Sequence, residues 1–137
     1  MNIFEKVASL NLPIGKYVVF GSGPLQARGS RESRDIDILT LPEIYDQLKN
    51  QGDWEEKIWP NGDKYLEKDS IEVGFDWVFK NGDQVYDPNI QKLIDEAEII
   101  NGIPFVRLEE VMVWKQVRGK EKDLEDIKLI RAYLSSI

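Results

Sequence analysis

Two aspartates, Asp35 and Asp37, alternate with Ile36 and Ile38. On a strand, side chains two apart share a face. Both carboxylates then point one way, and both isoleucines point the other way into a core. Neighbouring carboxylates repel each other unless something compensates. A divalent cation does so, and oxygen-only ligands favour magnesium or manganese over zinc. Upstream, the apolar run Tyr17 to Phe20 ends in Gly21-Ser22-Gly23-Pro24. The glycines let the backbone turn sharply and approach a ligand closely. Ser22 offers a hydroxyl, and a helix starting near Pro24 would turn its free N–H groups toward an anion. Arg28, Arg31 and Arg34 lie between this turn and the aspartates. Taken alone, Gly-Ser-Gly-Pro also reads as an ordinary turn and Asp-Ile-Asp as the outer face of an edge strand. Their order is what points to a phosphate site beside a metal site.

The composition narrows the chemistry. With no cysteine and no histidine, the chain cannot build disulfides, thiolate or imidazole metal sites, or a histidine-based triad. Catalysis must rest on carboxylates, lysine, arginine, tyrosine, hydroxyls or a metal. A net charge of −7 argues against broad nucleic-acid binding, which needs a basic face. The basic residues cluster nonetheless. Arg28, Arg31 and Arg34 form one group, and Lys115, Arg118, Lys120 and Lys122 form another. Both groups suit a polyphosphate better than a polymer. No apolar run approaches the roughly twenty residues that span a bilayer. The opening MNIFEKVASL lacks the apolar core of a signal peptide. The expectation is a cytoplasmic protein with no membrane partner, its oligomeric state open.

These residues need elements to hold them. The spacing predicts a helix over 3–10, with Phe4, Val7, Ala8 and Leu10 inward, ended by Pro13 and Gly15. Strands follow over 17–20 and 35–40. Leu41-Pro42 opens a helix over 42–51 that Gly52 closes. Strands over 54–59 and 64–66 flank the turn 60–63. A strand over 70–79 puts Ile71, Val73, Phe75 and Trp77 on one face and Glu72, Gly74 and Asp76 on the other. Asp87-Pro88 starts a helix with Asp87 as its cap. Two short strands meet at Asn101-Gly102. Helices follow over 108–118 and 121–135, the last with Leu124, Ile127, Ile130 or Arg131, and Leu134 at the spacing of one apolar stripe. With no linker or repeat, residues 1–137 are expected to form one domain. The class is α/β (α+β), a central mixed sheet flanked by helices, with a C-terminal helical pair against one side or edge. The strand order cannot be read from the sequence.

The sequence strand, Gly-Ser, helix, Asp-x-Asp strand resembles the signature of the nucleotidyltransferase superfamily, the fold of polymerase-beta-like enzymes. Arg28-Gly29 resembles the Arg-Gly often found before the acidic strand in its smallest members. The intervening loop is about two residues longer, and Arg34 replaces the small residue that commonly precedes the first aspartate. Lys115, Arg118-Gly119 and Lys122-Asp123 resemble the C-terminal part of many small nucleotidyltransferase-like proteins. The resemblance implies a third carboxylate from an apolar–acid–apolar triplet. Both Ile71-Glu72-Val73 and Phe75-Asp76-Trp77 fit, and the bulky neighbours of Asp76 favour it.

The resemblance further implies two-metal transfer of a nucleoside monophosphate from ATP or another NTP. Asp35, Asp37 and Asp76 would hold the metals, with Asp76 or Glu72 helping to deprotonate an attacking hydroxyl. Gly21, Ser22 and Gly23 would bind a phosphate. An arginine among Arg28, Arg31 and Arg34 would neutralise pyrophosphate, and Lys115 and Lys122 would reach a phosphate or the acidic cluster. The chain length fits a small-molecule or protein hydroxyl as acceptor. A second class stays open: the same fold binding a nucleotide or a protein partner without turnover, as in a toxin–antitoxin pair. Metal-dependent nucleotide affinity followed by pyrophosphate release separates the two.

Overall fold

The computed structural model describes residues 2–29 and 35–136. A seven-stranded mixed sheet runs through the molecule. Its strands are β1 (Tyr17–Phe20), β2 (Ile36–Thr40), β3 (Glu55–Ile58), β4 (Lys64–Lys68), β5 (Ile71–Gly74), β8 (Glu98–Ile100) and β9 (Ile103–Phe105). Their spatial order is β3-β4-β5-β2-β1-β9-β8. β2 lies antiparallel to β1 and parallel to β5. A separate hairpin joins β6 (Phe79–Asn81) to β7 (Gln84–Tyr86).

Alternation along the strands assigns the two faces. Val19, Ile36, Ile38, Val73 and Phe105 pack on one face against α1 (Ile3–Ala8) and α3 (Pro42–Asn50). Val18, Phe20 and Leu39 pack on the other. That second face is covered by α4 (Ile90–Asp95), α5 (Leu108–Arg118), α6 (Glu121–Ser135) and the β6–β7 hairpin. Asp37 sits two residues before Leu39, so its carboxylate faces the α5–α6 pair. The one-turn helix α2 (Gly23–Gln26) follows β1 and places Leu25 in the same core. No helix among the described residues is long and apolar enough to cross a membrane.

Several sequence expectations are corrected. The strand predicted over 70–79 ends at Gly74. Two contacts turn the chain there. The Trp59 ring lies where a Gly74 side chain would be, 2.6 Å from an ideal Cβ. Val78 then donates its N–H to Asp63 Oδ2 at 3.0 Å, so residues 75–78 follow the β3–β4 turn instead of β2. The helix expected from Asp87 begins at Ile90, because the Asn89 side chain accepts the Lys92 N–H and caps it. The first helix stops at Ala8, short of Leu10. In α6, Leu124 is 57% exposed, whereas Asp123 and Asp126 are buried beside Ile127 and Ile130. The apolar stripe is therefore displaced by one position at its start, and two carboxylates face inward.

Candidate active site

Four elements converge beside the C-terminal end of β1. Phe20 pairs with Asp37 across β1 and β2, and Asp37 pairs with Glu72 across β2 and β5. Register alone therefore brings Asp37 and Glu72 side by side on the face below α5 and α6. Gly21 follows Phe20 with φ of +62°. A Cβ at this position would sit 2.1 Å from Asp37 Oδ2. Glycine is needed twice over, for its left-handed conformation and for room beside the carboxylate. Gly21→Ala is expected to displace Asp37, cost about 1–3 kcal/mol and remove activity. Denaturant melts and an activity assay on the variant check this, and unchanged activity would detach Asp37 from the chemistry.

Gly21, Ser22, Asp35, Asp37 and Glu72 line one side of a pocket of about 140 Å³. Trp114, Lys115, Arg118, Lys122 and Asp126 line the helical side. Burial pushes the Asp37 carboxyl up to about 7, and the charges of Glu72 and Asp35 and a hydrogen bond with Glu72 push the same way. Arg118 pulls it down, but by less. The Glu72 carboxyl is also raised, chiefly by burial. Trp59 Nε1 donates to Glu72 Oε1 at 3.0 Å and fixes its direction. Both carboxyls therefore hold a proton more readily than free ones, because each is buried beside other carboxylates.

Two buried, mutually repelling oxygen donors are the kind of pair a hard divalent ion would relieve. Among the described residues no three acidic side chains form a ready-made cage. Asp37 and Glu72, with Asp35 in the same pocket, supply the donors.

The helical side is held by buried charge. Lys115 is 2% exposed, and its Nζ lies 2.8 Å from Asp126 Oδ2 and 3.3 Å from Asp123 Oδ1. Arg118 grips Asp123 with its fork, Nε at 2.8 Å and Nη2 at 2.5 Å. Its guanidinium lies over the Trp114 ring, 4.3 Å from the centroid. Asp123 also accepts the Lys120 N–H at 3.0 Å. Burial opposes the charge on Asp123, yet Arg118 and that N–H hold its carboxyl below the usual range. Lys122 is exposed at the rim. Partial burial and the charges of Arg118 and Lys120 lower its ammonium. A cationic rim above a carboxylate floor suits a polyphosphate chain.

No family model matches the sequence, and no curated protein matches it. Solved structures do. A candidate nucleotidyltransferase from Thermotoga maritima aligns with a TM-score of 0.56 and 22% identity, covering 100% of this chain and 97% of its own. ANT(2'')-Ia in complex with adenylyl-2''-tobramycin aligns with a TM-score of 0.55 and 16% identity, covering 97% of this chain and 86% of its own. The chain has the nucleotidyltransferase fold. A solution structure of ANT(2'')-Ia, an antibiotic-resistance factor, aligns with a TM-score of 0.50 and 16% identity.

Within this nucleotidyltransferase fold, the sequence-selected residues separate into groups. Gly21, Ser22, Asp35, Asp37, Glu72, Lys115 and Lys122 meet in the one pocket. Asp76 does not line it; it lies past the end of β5, exposed, and feels the charges of Asp63 and Asp87. Gly23 packs on Val19 and Ile3 rather than on the pocket. Arg28 donates to the Pro24 carbonyl at 2.6 Å, pairs with Glu98 and lies against the Tyr133 ring. It ties α2 to β8 and α6, away from the carboxylates. Arg31 and Arg34 lie outside the described residues. Ser22 precedes a helix of a single turn, so its contribution is a hydroxyl and local N–H groups, with little helix dipole. Trp114 and Asp126 were not among the selected residues, and Arg118 was named only within the second cationic cluster and its C-terminal motif. Their signal was the inward stripe Asp123, Asp126, Ile127, Ile130, which has helical spacing and demands buried cations opposite.

Proposed function

We propose that this protein transfers a nucleoside monophosphate from ATP or another NTP to a hydroxyl, with magnesium or manganese bound by Asp35, Asp37 and Glu72. The observation that carries this reading is the Asp37–Glu72 pair, set side by side by strand register under a cationic rim. When bound, the metal would supply charge stabilisation for the phosphates and the attacking oxygen. The chain's own residues do the rest. Lys122 and Arg118 bind the triphosphate, and Ser22 and the Gly21 turn position its end. The acceptor oxygen forms a bond to the α-phosphorus while the bond to the pyrophosphate oxygen breaks. Glu72, aimed by Trp59, takes the hydroxyl proton, and the cationic rim offsets the charge of the departing pyrophosphate. The bound adenylyl-antibiotic of ANT(2'')-Ia supports a small-molecule acceptor over a protein one.

Calorimetric titration of NTP analogues with and without magnesium tests the site. Wild type is expected to bind only with magnesium, and Glu72→Gln is expected to lose transfer by about 10²–10⁴-fold. Asp76→Asn is expected to behave as wild type. A larger loss in Asp76→Asn than in Glu72→Gln would restore Asp76 as the third carboxylate. No magnesium-dependent binding in wild type would overturn the nucleotide reading.

A further inference from the structure

A second cavity of about 570 Å³ adjoins the carboxylate pocket, and Arg118 lines both. Its floor is built rather than incidental. Asn61 Nδ2 donates to Asp63 Oδ2 and to the Val78 carbonyl, each at 2.8 Å, and Asp63 Oδ2 also accepts the Val78 N–H. These bonds lock the β3–β4 turn to the start of the β6–β7 hairpin. Phe79 supplies an apolar wall, and Lys80, Arg118 and Lys120 supply cations. Among the described residues Asp63 is the one carboxylate in the lining, and its Oδ2 is committed to the floor.

We infer that this cavity is the acceptor site, and that it takes an alcohol carrying an anionic group, a phosphate or a carboxylate. The inference rests on the transfer reading above, because it treats Arg118 as the boundary between donor and acceptor. Volume, charge and position each contribute. The volume suits a small molecule and lies within the usual range of ligand pockets. Lys80 and Lys120 face Asp63 across the cavity, while Arg118, whose charge Asp123 answers, closes the side toward the carboxylate pocket. A concave surface of one sign concentrates ligands of the other. A cationic acceptor would meet the like charges of Lys80 and Lys120. An acceptor whose anion meets Lys80 and Lys120 would turn its hydroxyl toward the Arg118 side, which the carboxylate pocket shares.

Phenyl phosphate, an anion on a flat ring, is a suitable probe, with benzyl alcohol and phenethylamine as its neutral and cationic counterparts. Binding is read from amide shifts of residues 61–63 and 78–80 and from calorimetry. Wild type is expected to bind phenyl phosphate with shifts at these amides, and the other two compounds far more weakly. Lys80→Glu/Lys120→Glu reverses two exposed charges and is expected to weaken binding about tenfold or more. Lys122→Glu, which alters the carboxylate pocket instead, is expected to leave the probe's affinity unchanged. No binding, tighter binding of the amine, or loss in Lys122→Glu with retention in the double variant would overturn the proposal. Magnesium-dependent NTP binding, measured on the same samples, reports separately on the transfer reading.

Discussion

Asp37→Asn is expected to destroy transfer and at the same time to stabilise the metal-free protein at neutral pH. The Asp37 carboxyl stands at about 7 in the fold against 3.8 in an unfolded chain. Between those values the folded state holds a proton that the unfolded chain has released. Stability from this group is therefore complete below about pH 4 and is lost as pH rises through about 7. A move of that size corresponds to on the order of 4 kcal/mol at pH 8, an upper figure because Glu72 titrates together with Asp37. Asparagine keeps a donor toward Glu72 and carries no charge to bury. In chelator at pH 8, Asp37→Asn should melt roughly 5–10 °C above wild type, and the two should converge near pH 4. Magnesium should raise the wild-type melting temperature and leave the variant unmoved. Equal melting temperatures at pH 8 would remove the buried carboxyl pair as the source of the site's metal affinity. An active Asp37→Asn would remove Asp37 from the chemistry altogether.

That opposition between stability and function explains which parts of the site were legible in the sequence. The Asp35-Ile36-Asp37-Ile38 pattern states both its face and its conflict locally, since two like charges flank a core residue. Gly21 was legible for a related reason, because only glycine tolerates the turn and the carboxylate beside it. Glu72 and Asp76 could not be separated in the same way. They share a face for as long as the strand continues, and what separates them is the register that sets Glu72 opposite Asp37. The strand's end at Gly74 depends on Trp59 and Asp63, which no pattern within residues 70–79 contains. The β6–β7 hairpin was missed with it. Arg28 looked like a phosphate ligand because its loop precedes the aspartates, but its true partners, Glu98 and Tyr133, are distant in sequence. The sheet and the helical pair followed from periodicity, whereas the strand order came only from long-range pairing.

The buried charges behind the site set the other large expectation. Lys115→Met should lower stability by about 3–5 kcal/mol, because removing one partner of a buried ionic group strands the others. Asp123 is fully buried and Asp126 nearly so. Asp123 would keep Arg118, but Asp126 would lose the ammonium 2.8 Å away. In urea, Lys115→Met should therefore unfold at clearly lower concentration with an unchanged slope. Lys115→Met/Asp126→Leu, which removes charge from both sides, should recover most of the loss, since a buried pair replaced by apolar groups of similar size is often near neutral. A double variant as unstable as the single one would show that packing around Lys115, not its charge, is what the fold requires. Nucleotide affinity adds a separate readout. Asp123 holds the Arg118 fork over Trp114, so a rescued double variant should still bind the triphosphate with magnesium. Loss of that affinity in a stable double variant would place Lys115 itself on the phosphates, the role its sequence position first suggested.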